Sequence, residues 1–151
     1  MEKFNIQSNN EGISRVENYI SMLCGEKNVY NHFATISMAV LQAVENAVVH
    51  GNKNDASKVV SIECGEFLGG IYFEVEDQGD GFDFAQYGNL PAAGRKGDGI
   101  FMMKLLADKM EYSKQGRCVR MEFLIKGIDA ADAMKRRSTL ARFHALGSVN
   151  V

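Results

Sequence analysis

Three stretches of the chain hold side chains whose types and spacing could do chemistry. The first is LQAVENAVVHGN, residues 41–52, where Gln42, Asn46 and His50 recur every four residues. On an α-helix four residues advance one turn plus about 40°, so two amides and an imidazole form one polar stripe. Placed beside an apolar face, such a stripe needs a polar partner. The second is EVEDQGDGFD, residues 74–83, in which Asp77 precedes Gly79 and Gly81. Closely spaced glycines let backbone approach a ligand without a Cβ clash, and an aspartate there can accept a hydrogen bond from the exocyclic amine of a base. The third is GRKGDGI, residues 94–100. Backbone N–H groups at a helix start suit phosphate, and Arg95 and Lys96 add positive charge. Taken singly, the second stretch reads equally as an ordinary glycine-rich turn, and the third as a flexible loop with solvated charges.

The flanking elements must hold these stretches. From Phe33 to Ala47 runs a stretch free of Gly and Pro. Ile36, Val40, Ala43 and Ala47 recur at helical steps, and Leu41, Val44 and Val48 widen that face. The result is a mostly buried helix that Gly51 stops and Asn31 can cap. Ahead of it, Phe4 and Ile6 signal a short strand. Ser8, Asn9 and Asn10 offer N-caps for a helix with the stripe Ile13, Val16, Ile20 and Leu23, and Gly25 to Asn31 reads as a loop. Residues 58–66 and 70–76 alternate as two strands joined by Phe67–Gly69, an antiparallel hairpin. A long glycine-containing loop, Asp83 to Gly99, holds the single proline, Pro91; loops of this length inside a domain are usually functional or disordered. Ile100 to Met110 returns to helix, and 110–114 with 117–125 form a second hairpin about Gln115-Gly116. Helices interleaved with antiparallel strand pairs predict an α+β fold, a two-layer sandwich with one sheet face covered.

The chain has 151 residues, enough for one domain with a sizeable core. We place that domain at 1–126. The segment 127–151 differs in composition: Met134, Leu140, Phe143 and Leu146 could mark a weak basic helix that binds a partner, or a frayed tail. A formal charge of −2 gives no overall drive towards nucleic acid. The polar start lacks a signal-peptide core, and no apolar run approaches the ~20 residues that span a bilayer. Cys24, Cys64 and Cys118 are odd in number and far apart, so they read as small buried hydrophobes rather than disulfides or metal ligands. A reducing cytoplasm is the simplest setting.

The motif GxxxxGK[ST] is absent, which excludes a P-loop. No strand runs directly into the third stretch, which excludes a Rossmann turn, and HRD and DFG are missing. The ordered set of Asn46 on a helix, DxGxG after a strand, and GxG opening a later helix resembles the GHKL ATPase superfamily, which includes gyrase, histidine kinases and mismatch-repair ATPases. NAVVHGN and GRKGDGIFMMKLLADKMEY look most like the bacterial anti-sigma-factor serine kinases. The resemblance covers about residues 4–126.

The resemblance implies a Bergerat-type ATP-binding fold and, residue by residue, a site for ATP and Mg2+. Asn46 would ligate the magnesium ion, for which an amide oxygen is a suitable hard ligand. Asp77 would bond the adenine amine. Gly79 and Gly81 would pass close to the base, and Phe82 would fix that turn. Asp83 to Asp98 would be the lid. Gly97 and Gly99, flanked by Asp98 and Ile100, would present amides to the phosphates, and Arg95 or Lys96 could meet the γ-phosphate. His50 is either a phosphate contact or a satisfied helix-end histidine. The implied partners are a sigma factor and an anti-anti-sigma antagonist, with a homodimer left open and no direct contact with nucleic acid or membrane.

The sequence departs from that pattern at one position that matters for catalysis. The kinases of the group carry a general-base glutamate four residues before the asparagine, where this chain has Gln42. Glutamine orients a hydroxyl but does not take its proton at neutral pH. Glu45 is the nearby carboxylate, roughly 100° around the helix from Asn46. Arg117 and Cys118 stand where similar proteins often have threonine near the adenine. Three functions are therefore weighed: an anti-sigma switch with serine kinase activity, a nucleotide-dependent binding module without catalysis, and a detached histidine-kinase-type ATPase domain.

Overall fold

Strict alternation of apolar and polar side chains builds the sheet. A computed structural model describes residues 1–86 and 98–125, together with Ser138. Among them, β1 (Glu2–Gln7), β2 (Val59–Phe67), β3 (Gly70–Glu76), β4 (Lys109–Ser113) and β5 (Cys118–Leu124) form one sheet in the order β1-β2-β3-β5-β4. All pairs are antiparallel, with Ile62 opposite Val75 and Val75 opposite Val119. Because side chains alternate with period two, Val60, Ile62, Ile71, Phe73, Val75, Val119, Met121 and Phe123 share one face, and all are buried. Burying such a side chain stabilises the fold by roughly 1.5–3 kcal/mol.

The opposite sheet face is polar and self-paired. Arg120 lies 3.8 Å above the Tyr72 ring and bonds Glu74 at 3.3 Å and Glu122 at 3.0 Å. The Tyr72 hydroxyl donates to Glu63 at 3.0 Å.

The apolar sheet face is covered by α1 (Asn10–Glu26), α2 (Phe33–Asn46) and α3 (Asp98–Leu106). This is the expected two-layer α+β sandwich. Asn9 caps α1, its Oδ1 accepting from the Gly12 N–H at 2.9 Å. The stripe Val16, Ile20 and Leu23 is buried, while Ile13 is only partly so. Helix α2 is the central element and touches α1, α3, β3 and β5. Cys24, Cys64 and Cys118 are free and buried. Burial pushes the Cys64 thiol up to about 11, as befits small hydrophobes.

Several element boundaries differ from the sequence expectation. Helix α1 runs on to Glu26 because Lys27 N–H still reaches the Leu23 carbonyl, at 3.0 Å. Asn31 does not cap α2: it lies inside a 3-10 turn, Tyr30–His32, and His32 holds the cap position without a side-chain bond. Helix α3 ends at Leu106 rather than Met110. There Asp108 N–H turns to the Glu122 carbonyl at 2.8 Å and draws the chain into the sheet edge. The continuous helical run Tyr30–Gly51 is 22 residues long and apolar enough to span a bilayer, against the expectation that no run is. In the fold 56% of its most apolar window is buried inside the protein, as in a core helix. The expectations for the 127–151 segment, including Met134, Leu140, Phe143 and Leu146, lie outside the described residues.

Candidate functional site

The last turns of α2 carry the polar stripe from the core to the surface. Gln42 is 7% exposed, Asn46 is half-buried and His50 is exposed. Gln42 Nε2 donates to Asn46 Oδ1 at 3.2 Å. The Asn46 Nδ2 faces the Met103 sulfur on α3 at 3.8 Å. Asn46 is thus held between its own helix and α3. Glu45 is exposed, while Gln42 lies on the buried side.

Beyond Asn46 the helix widens into a π turn, Ala47–Gly51. Asn52 N–H closes it on the Ala47 carbonyl at 2.8 Å. Single π turns inside helices are frequent at functional sites. Here the wider turn delivers Gly51 beneath the chain that leaves β3. A Cβ on Gly51 would stand 2.4 Å from the Asp77 carboxyl carbon, so glycine is what lets the carboxylate sit on the helix end. A Cβ on Gly79 would stand 2.1 Å from the Gly51 carbonyl oxygen, and one on Gly81, at φ +83°, 2.2 Å from the Gln115 carbonyl oxygen. Residues 77–81 are therefore pressed backbone-to-backbone between the end of α2 and the β4–β5 turn.

Hydrogen bonds complete that turn. Asp77 N–H donates to the Arg117 carbonyl at 2.9 Å, and Phe82 N–H to the Gln115 carbonyl at 3.0 Å. Asp77 Oδ1 accepts from the Gly79 N–H at 2.8 Å. Burial raises the Asp77 carboxyl above its ordinary value, an effect partly opposed by the Gly79 N–H and the Arg117 charge. Phe82 packs edge-on to Tyr112 at 5.3 Å, and Phe84 stacks on Tyr112 at 5.1 Å. These three rings form an apolar wall on the side of the Asp77 turn, where burial and the Asp77 charge raise the Tyr112 hydroxyl.

The donor set suits a magnesium ion that arrives with phosphate. Among the described residues no group of three or more His, Cys, Asp or Glu could hold a metal. Magnesium characteristically takes one or two protein oxygens and completes its shell with water and substrate phosphates. The Asn46 carbonyl oxygen, at the half-buried end of α2, fits that use. The glycines beside Asp77 serve the protein's own close packing against Gly51 and Gln115, and the Asp77 carboxylate they hold is the group that could accept from a base amine.

The helical run that carries Gln42 and Asn46 thus ends, at Gly51, against the turn that carries Asp77, Gly79, Gly81 and Phe82. Asp98, Gly99 and Ile100 open α3, whose Met103 meets Asn46, with Gly99 and Ile100 buried. Arg95, Lys96 and Gly97 lie outside the described residues. Sequence reasoning missed Met103, Tyr112 and the contact between Gly51 and Asp77. Met103 could have been found, since its helical spacing puts it on the apolar face of α3; the other two depend on the sheet order.

Residues 17–123 match the model of the histidine kinase-like ATPase domain, a span from α1 to β5 that includes Asn46, Asp77 and Gly99. An anti-sigma F factor of Clostridium perfringens (strain SM101 / Type A) is 32% identical over 123 residues, covering 76% of this chain and 86% of that protein. The anti-sigma F factor of Clostridium novyi (strain NT) is 28% identical over 138 residues, covering 84% of this chain and 94% of that protein. The serine-protein kinase RsbW of Bacillus subtilis (strain 168) is 40% identical over 57 residues, or 38% of this chain and 36% of that kinase.

Proposed function

The chain belongs to the histidine kinase-like ATPase domain family, and from that premise we propose that it is a Mg-ATP-binding regulator of the anti-sigma type. It would act in the cytoplasm, hold a sigma factor, and release it to an anti-anti-sigma antagonist. The observation that carries this reading is the meeting of two distant motifs. The end of the Asn46 helix abuts the Asp77 turn so closely that a Cβ at position 79 would meet the Gly51 carbonyl oxygen at 2.1 Å. A nucleotide laid along this seam would present its base to Asp77 and its phosphates to Asn46. Mg2+ would be ligated by Asn46 Oδ1 and would neutralise phosphate charge. Phe82 and Tyr112 would flank the base. Gly99 at the start of α3, and Gly97 two residues before it in the sequence, would offer amides to the phosphates, with Arg95 or Lys96 near the γ-phosphate and Asp83 to Asp98 as lid. Closing that lid would reshape the surface offered to the protein partner.

Gln42 favours a second reading, a nucleotide-dependent binding module without phosphoryl transfer. Its buried amide is engaged with Asn46 and takes no proton from a substrate hydroxyl. The deciding experiment is a calorimetric ATP titration with magnesium and with a chelator, followed by a phosphorylation assay on an anti-anti-sigma protein. Magnesium-dependent binding supports the nucleotide site, and its absence overturns it. Transfer, or its absence, then separates switch kinase from binding module.

A further inference from the structure

We infer that Asn52 is the positioning residue that fixes the base-recognising turn against the helix carrying Asn46. This inference rests on the nucleotide reading above. Asn52 is fully buried and leaves the π turn, with its own N–H on Ala47. Its Oδ1 accepts from the Gln78 N–H at 2.8 Å, one residue beyond Asp77. Its Nδ2 donates to the Val59 carbonyl at 3.0 Å and to Ser8 Oγ at 2.9 Å. Ser8 in turn donates to the Lys58 carbonyl at 2.9 Å. The backbone partners settle which way the carboxamide faces, because an N–H can only donate and a carbonyl only accept.

One side chain therefore ties the helix end, the β1–α1 joint and the start of β2 to the backbone beside Asp77. A second bond reinforces it, Val59 N–H to Gln78 Oε1 at 2.8 Å. Buried networks with every member satisfied rigidify what they join. Asn46 and Asp77 come from different elements, and Asn52 makes a direct side-chain tether between those elements. The spacing between metal ligand and base acceptor is set there, although Asn52 touches neither base nor metal.

The test compares ATP with inosine triphosphate, which lacks the exocyclic amine, and uses magnesium tripolyphosphate as a probe of the phosphate half alone. Wild type should prefer ATP. Asn52→Ala should lower that preference roughly tenfold and leave tripolyphosphate affinity unchanged. Asn52→Asp keeps an acceptor for Gln78 while opposing the Val59 carbonyl. It should retain most of the preference even where it melts no higher than Asn52→Ala. Should Asn52→Ala not fold, Asn52→Ser, too short to reach Gln78, carries the same expectation. An unchanged preference in Asn52→Ala, with a lowered one in Asp77→Asn, overturns the inference. So does a parallel loss of all three ligands. No preference in wild type and no effect of Asp77→Asn would instead remove the base assignment, and this inference with it.

Discussion

Gln42 Nε2 donates a hydrogen bond to Asn46 Oδ1 at 3.2 Å, so the residue standing at the base position orients the oxygen proposed to hold the metal. A glutamate at 42 would reverse that bond, accepting from the Asn46 amide and leaving Oδ1 to the cation. General-base help is typically worth about 10²–10⁴-fold. Gln42→Glu should raise phosphate transfer to an antagonist protein within that range, measured by single-turnover assay. Transfer by wild type as fast as by the variant would show that this chain needs no carboxylate at position 42.

Asn46 is the one protein metal ligand the reading names, so its loss should act through magnesium. Asn46→Ala should weaken ATP binding in magnesium by at least roughly tenfold and leave affinity in a chelator nearly unchanged. Titration of both proteins under both conditions gives the comparison. Because the Asn46 amide also meets Met103, circular dichroism of the variant should accompany it. Equal losses with and without magnesium would put the role of Asn46 in packing rather than in ligation.

The Asp77 carboxyl is raised from its ordinary value by burial, and this links nucleotide affinity to pH. The folded state holds the Asp77 proton more tightly than the unfolded chain does. Stability therefore falls as pH rises from the ordinary value of 3.8 through the raised one, and levels above it. ATP affinity should run the other way, full above the raised value and lost as pH falls through it, since a protonated carboxyl offers less to an amine. Asp77→Asn should melt no lower than wild type at neutral pH, bind ATP roughly tenfold more weakly, and lose this part of the acid dependence. Melting curves and ATP titrations across the acid range read both effects.

Much of this was legible in the sequence because its signals are local. The alternation in β2, β3 and β5 and the stripe of α2 follow from one-dimensional periodicity. The resemblance then assigned Asn46 and Asp77 their roles, and the structure brings their elements together. What was not legible depends on partners far along the chain. Asn52 opens a polar stretch, NKNDAS at 52–57, with no apolar periodicity to mark it as buried; it is buried because Ser8, Val59 and Gln78 converge on it. The early end of α3 is likewise set by Glu122 across the sheet. The π turn leaves no mark in periodicity, since its extra residue changes the phase only once.

The backbone contact between Gly79 and Gly51 supplies a stability prediction that does not require ATP. A Cβ at 79 would meet the Gly51 carbonyl oxygen at 2.1 Å, and the obstacle is backbone, not a side chain that can swing away. Forcing extra atoms into a packed site costs typically 1–3 kcal/mol, so Gly79→Ala should lose about 2 kcal/mol in urea unfolding. Arg120→Ala is the matched control on the far sheet face, where the ion pairs with Glu74 and Glu122 are partly exposed. Such pairs are worth about 0.2–1 kcal/mol, and this variant should leave ATP affinity unchanged. If Gly79→Ala unfolds at the wild-type midpoint, the helix end and the Asp77 turn are not in contact in solution. The shared site would then lose its footing.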